Sequence, residues 1–289
     1  MNEEIEFTKM HALGNDYIVI NEFEKTIIPE EDKNKFSDEK CTRGFSIGAD
    51  GVIFVCKSNK ADIKFRIFNS DGSEAEMCGN GIRCFTKYVY DNKILSDKVI
   101  HIETMEDIKK TVITTDEEDN IISISVNMGK AFFKPSNIPV KAISSDDEFL
   151  EELVKVEDKE FIISAVSVGN PHAVIFTEDN LKNIDLNKYG SAIENHELFP
   201  EKTNVHFVNV ISPNEIRMLT WERGAGFTYA CGTGATSCAI LGYKIGKLNE
   251  DVHVYLPGGE LDITIKEDKE ITAVMKGSAV TVYDGLLKI

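Results

Sequence analysis

The sequence predicts an α+β fold of two pseudo-symmetric domains, each with a mostly antiparallel, barrel-like sheet wrapped around one central helix. Three observations support this prediction. A Cys-Gly-x-Gly turn occurs twice, at residues 78–81 and 231–234, with the two copies 153 residues apart. Short β-rich segments punctuated by Gly and Asn dominate both halves of the chain. Few helical segments lie between them, and the clearest one in each half follows the turn.

Other landmarks repeat in the same order at nearly the same spacing. Residues 13–15 (Leu-Gly-Asn) return as residues 168–170 (Val-Gly-Asn), and the apolar run 52–55 returns at 205–208. Landmarks that recur in order along about half of a chain indicate an internal duplication. Two similar domains should therefore face each other across a cleft, and each should present one thiol there.

The length of 289 residues is enough for two domains of common size, each with its own core. The repeat predicts a first domain over residues 1–131 and a second over residues 132–278. The last segment, 279–289, lies beyond the end of the second copy. We expect this segment to return and complete the sheet of the first domain.

The individual elements follow from periodicity. Predicted strands, taken from alternating apolar and β-branched residues, cover residues 17–20, 52–55, 65–68, 99–102, 111–115, 121–126, 161–168, 173–176, 205–211, 215–221, 252–256, 261–265 and 271–275. A helix over 80–90 places Ile82, Phe85 and Val89 on one stripe, and a helix over 233–245 is apolar on most of its surface, which indicates burial. The charged stretch 144–160 is expected to be a surface helix or insertion.

Composition restricts the possible partners and location. Apolar residues make up 42% of the chain and charged residues 28%, as in soluble globular proteins, and no apolar tract reaches the length of a membrane span. The formal charge of −17 disfavours nucleic acid and anionic membranes as partners. The acidic residues 1–4 lack the features of a signal peptide, so we expect a cytoplasmic protein.

The six cysteines indicate free thiols and neither a disulfide framework nor a metal site. In a cytosolic chain thiols stay reduced, and the spacings here miss both Cys-x-x-Cys and the usual zinc patterns. The segment 78–83 has Arg83 where a dinucleotide-binding loop has Gly or Ala, and 232–237 lacks the Lys of a phosphate-binding loop. The sequence therefore gives no support for a metal or nucleotide cofactor.

The chemistry is expected at Cys78 and Cys231. Each precedes a buried helix and a Gly-x-Gly turn, where unpaired backbone N–H groups and the helix dipole attract negative charge. A thiolate there should have a pKa below the free value of about 8.5, and the same amides could hold a carboxylate. Two such thiols could remove and deliver a proton on opposite faces of one carbon. The plain alternative, cysteines that only pack at a helix start, is preferred for Cys84 and Cys238.

Polar side chains at strand edges complete the candidate site, and each has a plainer alternative. Four asparagines are either turn residues or ligand-facing, and the repetition of two of them favours the second reading: Asn15, Asn69, Asn170 and Asn204. Arg223 could bind a carboxylate in a bidentate manner or form a surface ion pair. His172 and Glu222 are the titrating groups that could perturb the thiols.

Six motifs in order resemble the diaminopimelate epimerases over essentially the full length; they are residues 9–16, 66–74, 77–84, 169–172, 221–226 and 230–235. The resemblance implies cofactor-free interconversion of LL- and meso-diaminopimelate, for lysine and cell-wall synthesis, on the fold of that family. It implies that Cys78 and Cys231 are the acid/base thiols.

The same resemblance implies roles for the remaining candidates. The α-carboxylate would be held by the helix-end amides of Gly79, Asn80, Gly232 and Thr233. The distal end of the substrate would be bound by Asn15, Asn69, Asn170, Asn204, Glu222 and Arg223. His172 and Glu222 would tune the thiols, and Tyr283 would lie at the interface of a homodimer.

Three positions depart from the pattern of this family. Ser46 stands where many members have Gly, Gly51 stands where some have a substrate-contacting Gln, and Phe227 stands where Glu is frequent. The Gln contact is therefore not expected here, and Phe227 departs from the family pattern in the surroundings of Cys231.

Alternatives come from the same fold and from other classes. Proline racemases and hydroxyproline epimerases share the two thiols, but they typically carry His where Asn80 stands, and phenazine-pathway-like isomerases generally lack the pair. A thiol redox sensor or metal-binding protein would use the cysteines by linking them or by binding zinc. A non-catalytic interaction module would give no reason for two matched turns.

Overall fold

A computed structural model describes residues 4–75, 77–141 and 147–288 of the chain. The chain divides into two compact units. The first consists of Met1–Asn127 and Lys276–Ile289, and the second of Met128–Met275. Two strands, β8 and β17 below, run across a boundary between these ranges.

Within the described residues, the first unit is a mixed sheet with two α-helices. Its strands are β1 (Glu4–Ala12), β2 (Asn15–Glu22), β3 (Gly51–Cys56), β4 (Ile63–Asn69), β5 (Glu74–Ala75), β6 (Val99–Glu103), β7 (Ile108–Thr115), β8 (Ile121–Lys130) and β18 (Val280–Lys288), and its helices are α1 (Lys33–Cys41) and α2 (Gly79–Asp91). Most neighbouring strands are antiparallel, including β18 with β1. The pairs β2–β3 and β4–β6 are parallel.

The second unit is built in the same way. Its strands are β9 (Glu152–Val156), β10 (Lys159–Ser167), β11 (Pro171–Phe176), β12 (Asn204–Ser212), β13 (Glu215–Glu222), β14 (Gly226–Thr228), β15 (Asp251–Leu256), β16 (Gly259–Glu267) and β17 (Ile271–Gly277), and its helices are α3 (Leu186–Glu194) and α4 (Gly232–Lys244). Here β11–β12 and β13–β15 are the parallel pairs among antiparallel neighbours.

The pairing order repeats between the units, strand for strand. In the first, β1–β2 is antiparallel, β2–β3 parallel, β3–β4 antiparallel and β4–β6 parallel; β10 to β13 and β15 repeat this order. The register repeats as well, since Tyr17 lies beside Gly51 as His172 lies beside Asn204. The predicted α+β fold with two pseudo-symmetric sheets is confirmed.

One helix in each unit packs against several strands of its own sheet. The helix α2 contacts β1, β2, β3, β4 and β18, and α4 contacts β10, β11, β12 and β16. The predicted stripe of Ile82, Phe85 and Val89 is fully buried, as are Cys84 and Cys238. Both predicted central helices are confirmed, because each packs against several strands of its own sheet.

A buried ion pair supports the packing of α1 in the first unit. The ammonium of Lys33 lies 2.9 Å from a carboxylate oxygen of Glu22, and the two side chains are 1% and 4% exposed. The same ammonium donates to the carbonyl of Ile28 at 2.6 Å. Hydrogen bonds beyond the pair itself compensate part of the cost of burying these charges.

Of the two alternatives for the charged stretch 144–160, the surface helix is wrong where the structure describes the stretch. Strand β9 and the start of β10 form a hairpin there, while residues 144–146 lie outside the described residues. In β9, Val154 and Val156 are buried and the residue between them is exposed, so an alternation is present among the charges. Among the helices that the structure describes, none is long and apolar enough to cross a membrane.

Candidate active site

Both predicted cysteines cap a helix in the same way. Cys78 is the N-cap of α2, with an extended backbone (φ −140°, ψ 117°), and its sulfur accepts from the N–H of Gly81 at 3.4 Å. Cys231 is the N-cap of α4 (φ −128°, ψ 110°), and its sulfur accepts from the N–H of Gly234 at 3.3 Å. Each sulfur therefore lies among the first backbone donors of a helix, which is the placement expected from the Cys-Gly-x-Gly turn.

The first unit brings Asn15 and Asn80 together beside Cys78. The Asn80 amide donates to Asn15 Oδ1 at 2.6 Å, and the amide of Asn15 donates to Asp50 at 3.3 Å. Arg83, which is fully buried, donates to Asn80 Oδ1 at 2.8 Å and to the carbonyl of Gly79 at 3.0 Å. Arg83 thus fixes the first turn of α2, where the backbone donors lie.

Asn69 has a local structural role in this unit. It is exposed, and its amide donates to the hydroxyl of Ser73 at 3.0 Å, while its backbone N–H donates to the Ser73 carbonyl at 2.8 Å. Asn69 therefore closes the turn after β4, as the plainer alternative from the sequence allows. Its predicted contact with a substrate stays a prediction.

In the second unit a buried chain of hydrogen bonds connects Asn170 to Thr220. Asn170 Oδ1 lies 2.8 Å from Nε2 of His172, Nδ1 of His172 lies 2.9 Å from Nε2 of His206, and Nδ1 of His206 lies 3.1 Å from the Thr220 hydroxyl. Burial lowers the pKa of His172 well below its usual range and that of His206 to about 3. Both rings are therefore neutral at physiological pH.

Neutral rings leave one arrangement of hydrogens along this chain. With the amide oxygen of Asn170 as acceptor, His172 carries its hydrogen on Nε2 and accepts at Nδ1. His206 then donates from Nε2 and accepts the hydrogen of the Thr220 hydroxyl at Nδ1. Every polar atom of the two rings has a partner, so this chain holds His172 in one orientation.

Glu222 ends β13, and Arg223 begins the turn that follows it. Asn204, almost fully buried, accepts from the backbone N–H of Arg223 at 3.0 Å and donates to the Pro171 carbonyl at 2.9 Å. The buried carboxylate of Glu194 accepts from the Gly224 N–H at 3.0 Å. The backbone of this turn is thereby fixed, while the Arg223 side chain is exposed and donates to the Glu201 carbonyl at 3.2 Å.

The predicted low pKa of the thiol is wrong for Cys231. Its side chain is buried, and burial raises the pKa of this thiol well above its usual range. The nearby carboxylate of Glu222 raises the pKa further, while hydrogen bonds from Thr233 and from the Gly234 N–H lower it to a smaller extent. Desolvation outweighs the helix end, so Cys231 is a protonated thiol at neutral pH.

The remaining predicted positions lie on the surface or against backbone. Tyr283 on β18 is 46% exposed and packs edge-to-face on Phe7, with ring centroids 6.0 Å apart. Phe227 is 45% exposed and packs on Tyr229. A Cβ atom on Gly51 would lie 2.6 Å from the Phe68 carbonyl oxygen, so this backbone leaves no room for a side chain there.

Sequence reasoning missed four residues that hold these groups in place: Tyr17, Arg83, His206 and Thr220. The hydroxyl of Tyr17 lies 3.0 Å from the sulfur of Cys78. A usable signal existed, because residues two apart share one face of a strand. Tyr17 follows Asn15 by two positions, and His206 follows Asn204 by two. Among the described residues, no group of three or more His, Cys, Asp or Glu side chains is placed to hold a metal ion.

The chain is similar to one protein family along most of its length. The model of the family described as Diaminopimelate epimerase matches residues 7–134 and 164–282. Curated proteins named "Diaminopimelate epimerase" from Methanothermobacter thermautotrophicus and Methanocaldococcus jannaschii are 55% and 52% identical, over 97% and 98% of this chain and 98% of each relative. One of the same name from Carboxydothermus hydrogenoformans is 44% identical, over 97% of this chain and 98% of that protein.

Solved structures share the fold at much lower identity. A phenazine biosynthesis protein of the PhzF family from Bacillus anthracis has a TM-score of 0.72 at 16% identity, with 99% of this chain and 100% of that chain covered. A hydroxyproline epimerase from Agrobacterium vitis, with bound trans-4-hydroxy-L-proline, has a TM-score of 0.68 at 14% identity, with 99% and 91% covered. At these identities the likeness establishes the architecture alone.

Proposed function

Since the chain belongs to the diaminopimelate epimerase family, we propose that it interconverts LL- and meso-2,6-diaminopimelate without a cofactor or metal. The reaction would serve lysine and peptidoglycan precursor biosynthesis. The observation that carries the proposal is the matched pair of cysteine N-caps, Cys78 and Cys231, in a chain 55% identical to a curated relative of this name. Epimerisation needs one group to remove the α-proton and a second group to return one to the other face.

These roles require opposite protonation states in the two thiols. Cys231 keeps its proton at neutral pH because it is buried next to Glu222. Cys78 is then the group that accepts the α-proton, while Cys231 donates its own to the opposite face of the carbon. The roles exchange when the reaction runs in reverse, so each turnover leaves the pair ready for the opposite epimer.

The α-carboxylate would be bound by the first backbone amides of α2 and α4. Gly79 and Asn80 in one copy, and Gly232 and Thr233 in the other, supply N–H groups at helix N-termini, where the dipole favours an anion. The same donors would stabilise the charge that develops on the carboxylate when the α-proton leaves.

The distal amino-acid end would be selected by the polar side chains on the strand edges. The exposed guanidinium of Arg223 presents donors suited to a carboxylate, and Asn204 fixes the backbone of the turn that carries it. Asn15, Asn69 and Asn170 offer amide groups, and Glu222 offers a carboxylate to an ammonium. His172, held neutral by its burial, would tune the environment of the thiol without adding charge.

We further propose that the enzyme is a cytoplasmic homodimer that associates through β18, which is exposed along most of its length. Val282, Tyr283 and Leu286 on this strand are 53%, 46% and 62% exposed, and apolar groups so concentrated are typical of contact surfaces. The proposed chemistry needs reduced thiols, which agrees with a cytoplasmic location. Tyr283→Asp should shift the sedimentation coefficient from dimer to monomer, whereas a monomeric parent protein would contradict this assignment.

Deuterium exchange tests the catalytic proposal directly. In D₂O, with no pyridoxal phosphate or metal added, the protein should introduce deuterium at the α-carbon of diaminopimelate, and proline and hydroxyproline should remain unlabelled. Cys78→Ala and Cys231→Ala should each abolish epimerisation, while Cys56→Ala, at a half-buried thiol elsewhere in the first unit, should not. Full turnover in either of the first two variants would eliminate the two-base mechanism.

A further inference from the structure

The hydroxyl of Tyr17 lies against the sulfur of Cys78, at 3.0 Å. Tyr17 belongs to β2, is 3% exposed, and lies between Met10 on β1 and Gly51 on β3. Its backbone is therefore paired with a strand on each side, and its hydroxyl lies against one sulfur atom. This contact is additional to the N–H of Gly81, which reaches the same sulfur at 3.4 Å.

The tyrosine is the donor in this contact when the sulfur is ionised. Burial, and to a smaller extent the neighbouring Cys78, raises the pKa of the Tyr17 phenol well above its usual range. The phenol thus keeps its hydrogen throughout the physiological range. A hydroxyl that donates to a thiolate makes a charge-assisted hydrogen bond, which is stronger than a bond to the neutral thiol. The contact therefore favours the ionised form of Cys78.

The internal duplication shows that this feature belongs to one copy only. Tyr17 follows Asn15 as His172 follows Asn170, and each lies beside the matching residue of the next strand, Gly51 and Asn204. His172 directs its hydrogen to Asn170 instead of a sulfur. The two helix caps are alike, but the side chains around them have diverged.

We propose that Tyr17 is a positioning residue that stabilises the thiolate of Cys78 and so makes this thiol the proton acceptor of the resting enzyme. The inference rests on the proposed function, in which Cys78 exchanges the α-proton. It adds the reason why the two matched cysteines start the reaction in different protonation states.

The test compares Tyr17→Phe with the parent enzyme and with a control variant, Tyr90→Phe. Tyr90 lies in the last turn of α2, and its hydroxyl donates to Asp119. Iodoacetamide alkylation of Cys78 is followed as a function of pH by mass spectrometry of the tryptic peptide 67–83, in which Cys78 is the single cysteine. For Tyr17→Phe, the rate at pH 7 should fall about tenfold, from the loss of one charge-assisted bond. The limiting rate at alkaline pH should stay unchanged.

The pH profile of kcat/KM supplies a second reading. Its acidic limb should move to higher pH in Tyr17→Phe and stay in place in Tyr90→Phe. Replacement of Tyr17 by 3-fluorotyrosine, a more acidic phenol and better donor, should move the alkylation curve to lower pH. A general disturbance of the site would not move the alkylation curve to higher pH in Tyr17→Phe and to lower pH in the fluorotyrosine enzyme.

The outcomes separate this inference from the proposed function. Alkylation curves that superimpose for the parent, Tyr17→Phe and the fluorotyrosine enzyme would overturn the role of Tyr17, whatever the epimerase activity. If the parent enzyme has no epimerase activity but the alkylation curves of the Tyr17 variants still differ from that of the parent, the proposed function is refuted. The stabilisation of the Cys78 thiolate by Tyr17 is then retained. If Tyr17→Phe does not fold, the fluorotyrosine enzyme alone decides, because an unmoved curve rejects the inference.

Discussion

Gly81 and Gly234 occupy the same position in the two copies, the third residue after each cysteine, but their surroundings differ. A Cβ on Gly234 would lie 2.3 Å from Cε1 of His206, with both ring nitrogens within 3.0 Å. A Cβ on Gly81 would lie 3.1 Å from the terminal methyl of Ile67, the end of a flexible side chain. The same substitution by Ala should therefore be costly in the second copy and nearly neutral in the first.

The free-energy cost of Gly234→Ala depends on how firmly the ring of His206 is held. The ring is fully buried and bonded at both nitrogens, to His172 and Thr220, so it cannot move without weakening both bonds. Overpacking costs about 1–3 kcal/mol, and two weakened hydrogen bonds add about 1 kcal/mol each. Helix propensity returns up to about 1 kcal/mol for Gly to Ala. The net cost of Gly234→Ala is about 2–4 kcal/mol, whereas Gly81→Ala should stay within about 1 kcal/mol of the parent.

Thermal unfolding measures this difference. At about 2–4 °C per kcal/mol for a chain of this size class, Gly234→Ala should lower Tm by roughly 4–16 °C, and Gly81→Ala should change it by a few degrees at most. A double-mutant cycle assigns the cause. In a His206→Ala background the space beside Gly234 is open, so adding Gly234→Ala should cost little or stabilise the helix.

Two results would refute the reasoning. Equal melting temperatures for the two glycine variants would show that the crowding at His206 carries no energy. An equal cost of Gly234→Ala in the parent and in the His206→Ala background would show that the loss comes from somewhere other than the ring.

Three further outcomes are expected. Lys33→Ala should lower the free energy of unfolding by about 3–5 kcal/mol in urea, since it leaves Glu22 buried without its partner, while Lys57→Ala at an exposed pair should cost less than about 1 kcal/mol. Thr220→Val, which removes the donor to His206, should cost about 1–3 kcal/mol in the same assay. Because the pKa of Cys231 is raised on folding, the folded state holds more protons above about pH 8.5, so stability should fall as pH rises past that value, and Cys231→Ala should reduce the slope.

Most of the sheet was predictable because alternation is a local property of the sequence. Strands such as β3 and β12 read as apolar runs, and the two central helices follow directly from the glycine turns. Strand β9 was missed because Glu, Lys and Asp lie around Val154 and Val156, so that the alternation of these two valines is short and is flanked by charged residues. Helix α1 was missed because two of its nine residues, Phe36 and Cys41, are apolar and buried, which is too few to form an apolar stripe in the sequence. Its packing also depends on the buried Lys33.

The site was predictable where one motif holds both the group and its setting. A cysteine before Gly-x-Gly and a helix specifies its own N–H donor, and both copies show it. The pKa of Cys231 was not predictable in this way, because it depends on burial and on Glu222, which lies outside the motif at the end of β13. Tyr17 and His206 likewise become neighbours of their partners only through the register between strands.

In the proposed mechanism, the duplication supplies an acid and a base from one motif. The backbone donors reach the two sulfurs at nearly equal distances, 3.4 Å and 3.3 Å, so the helix ends alone would give the thiols equal proton affinity. A difference between the thiols would therefore come from burial, which is greater for Cys231 than for Cys78, and from the side chains around them. At equivalent places, 153 to 155 residues apart, the first copy has Tyr17 and Asn69, and the second has His172 and Glu222. In the proposed mechanism, a hydroxyl donor beside Cys78 and a carboxylate near Cys231 favour the thiolate of the first and the thiol of the second, the pair of states from which one direction of the reaction starts.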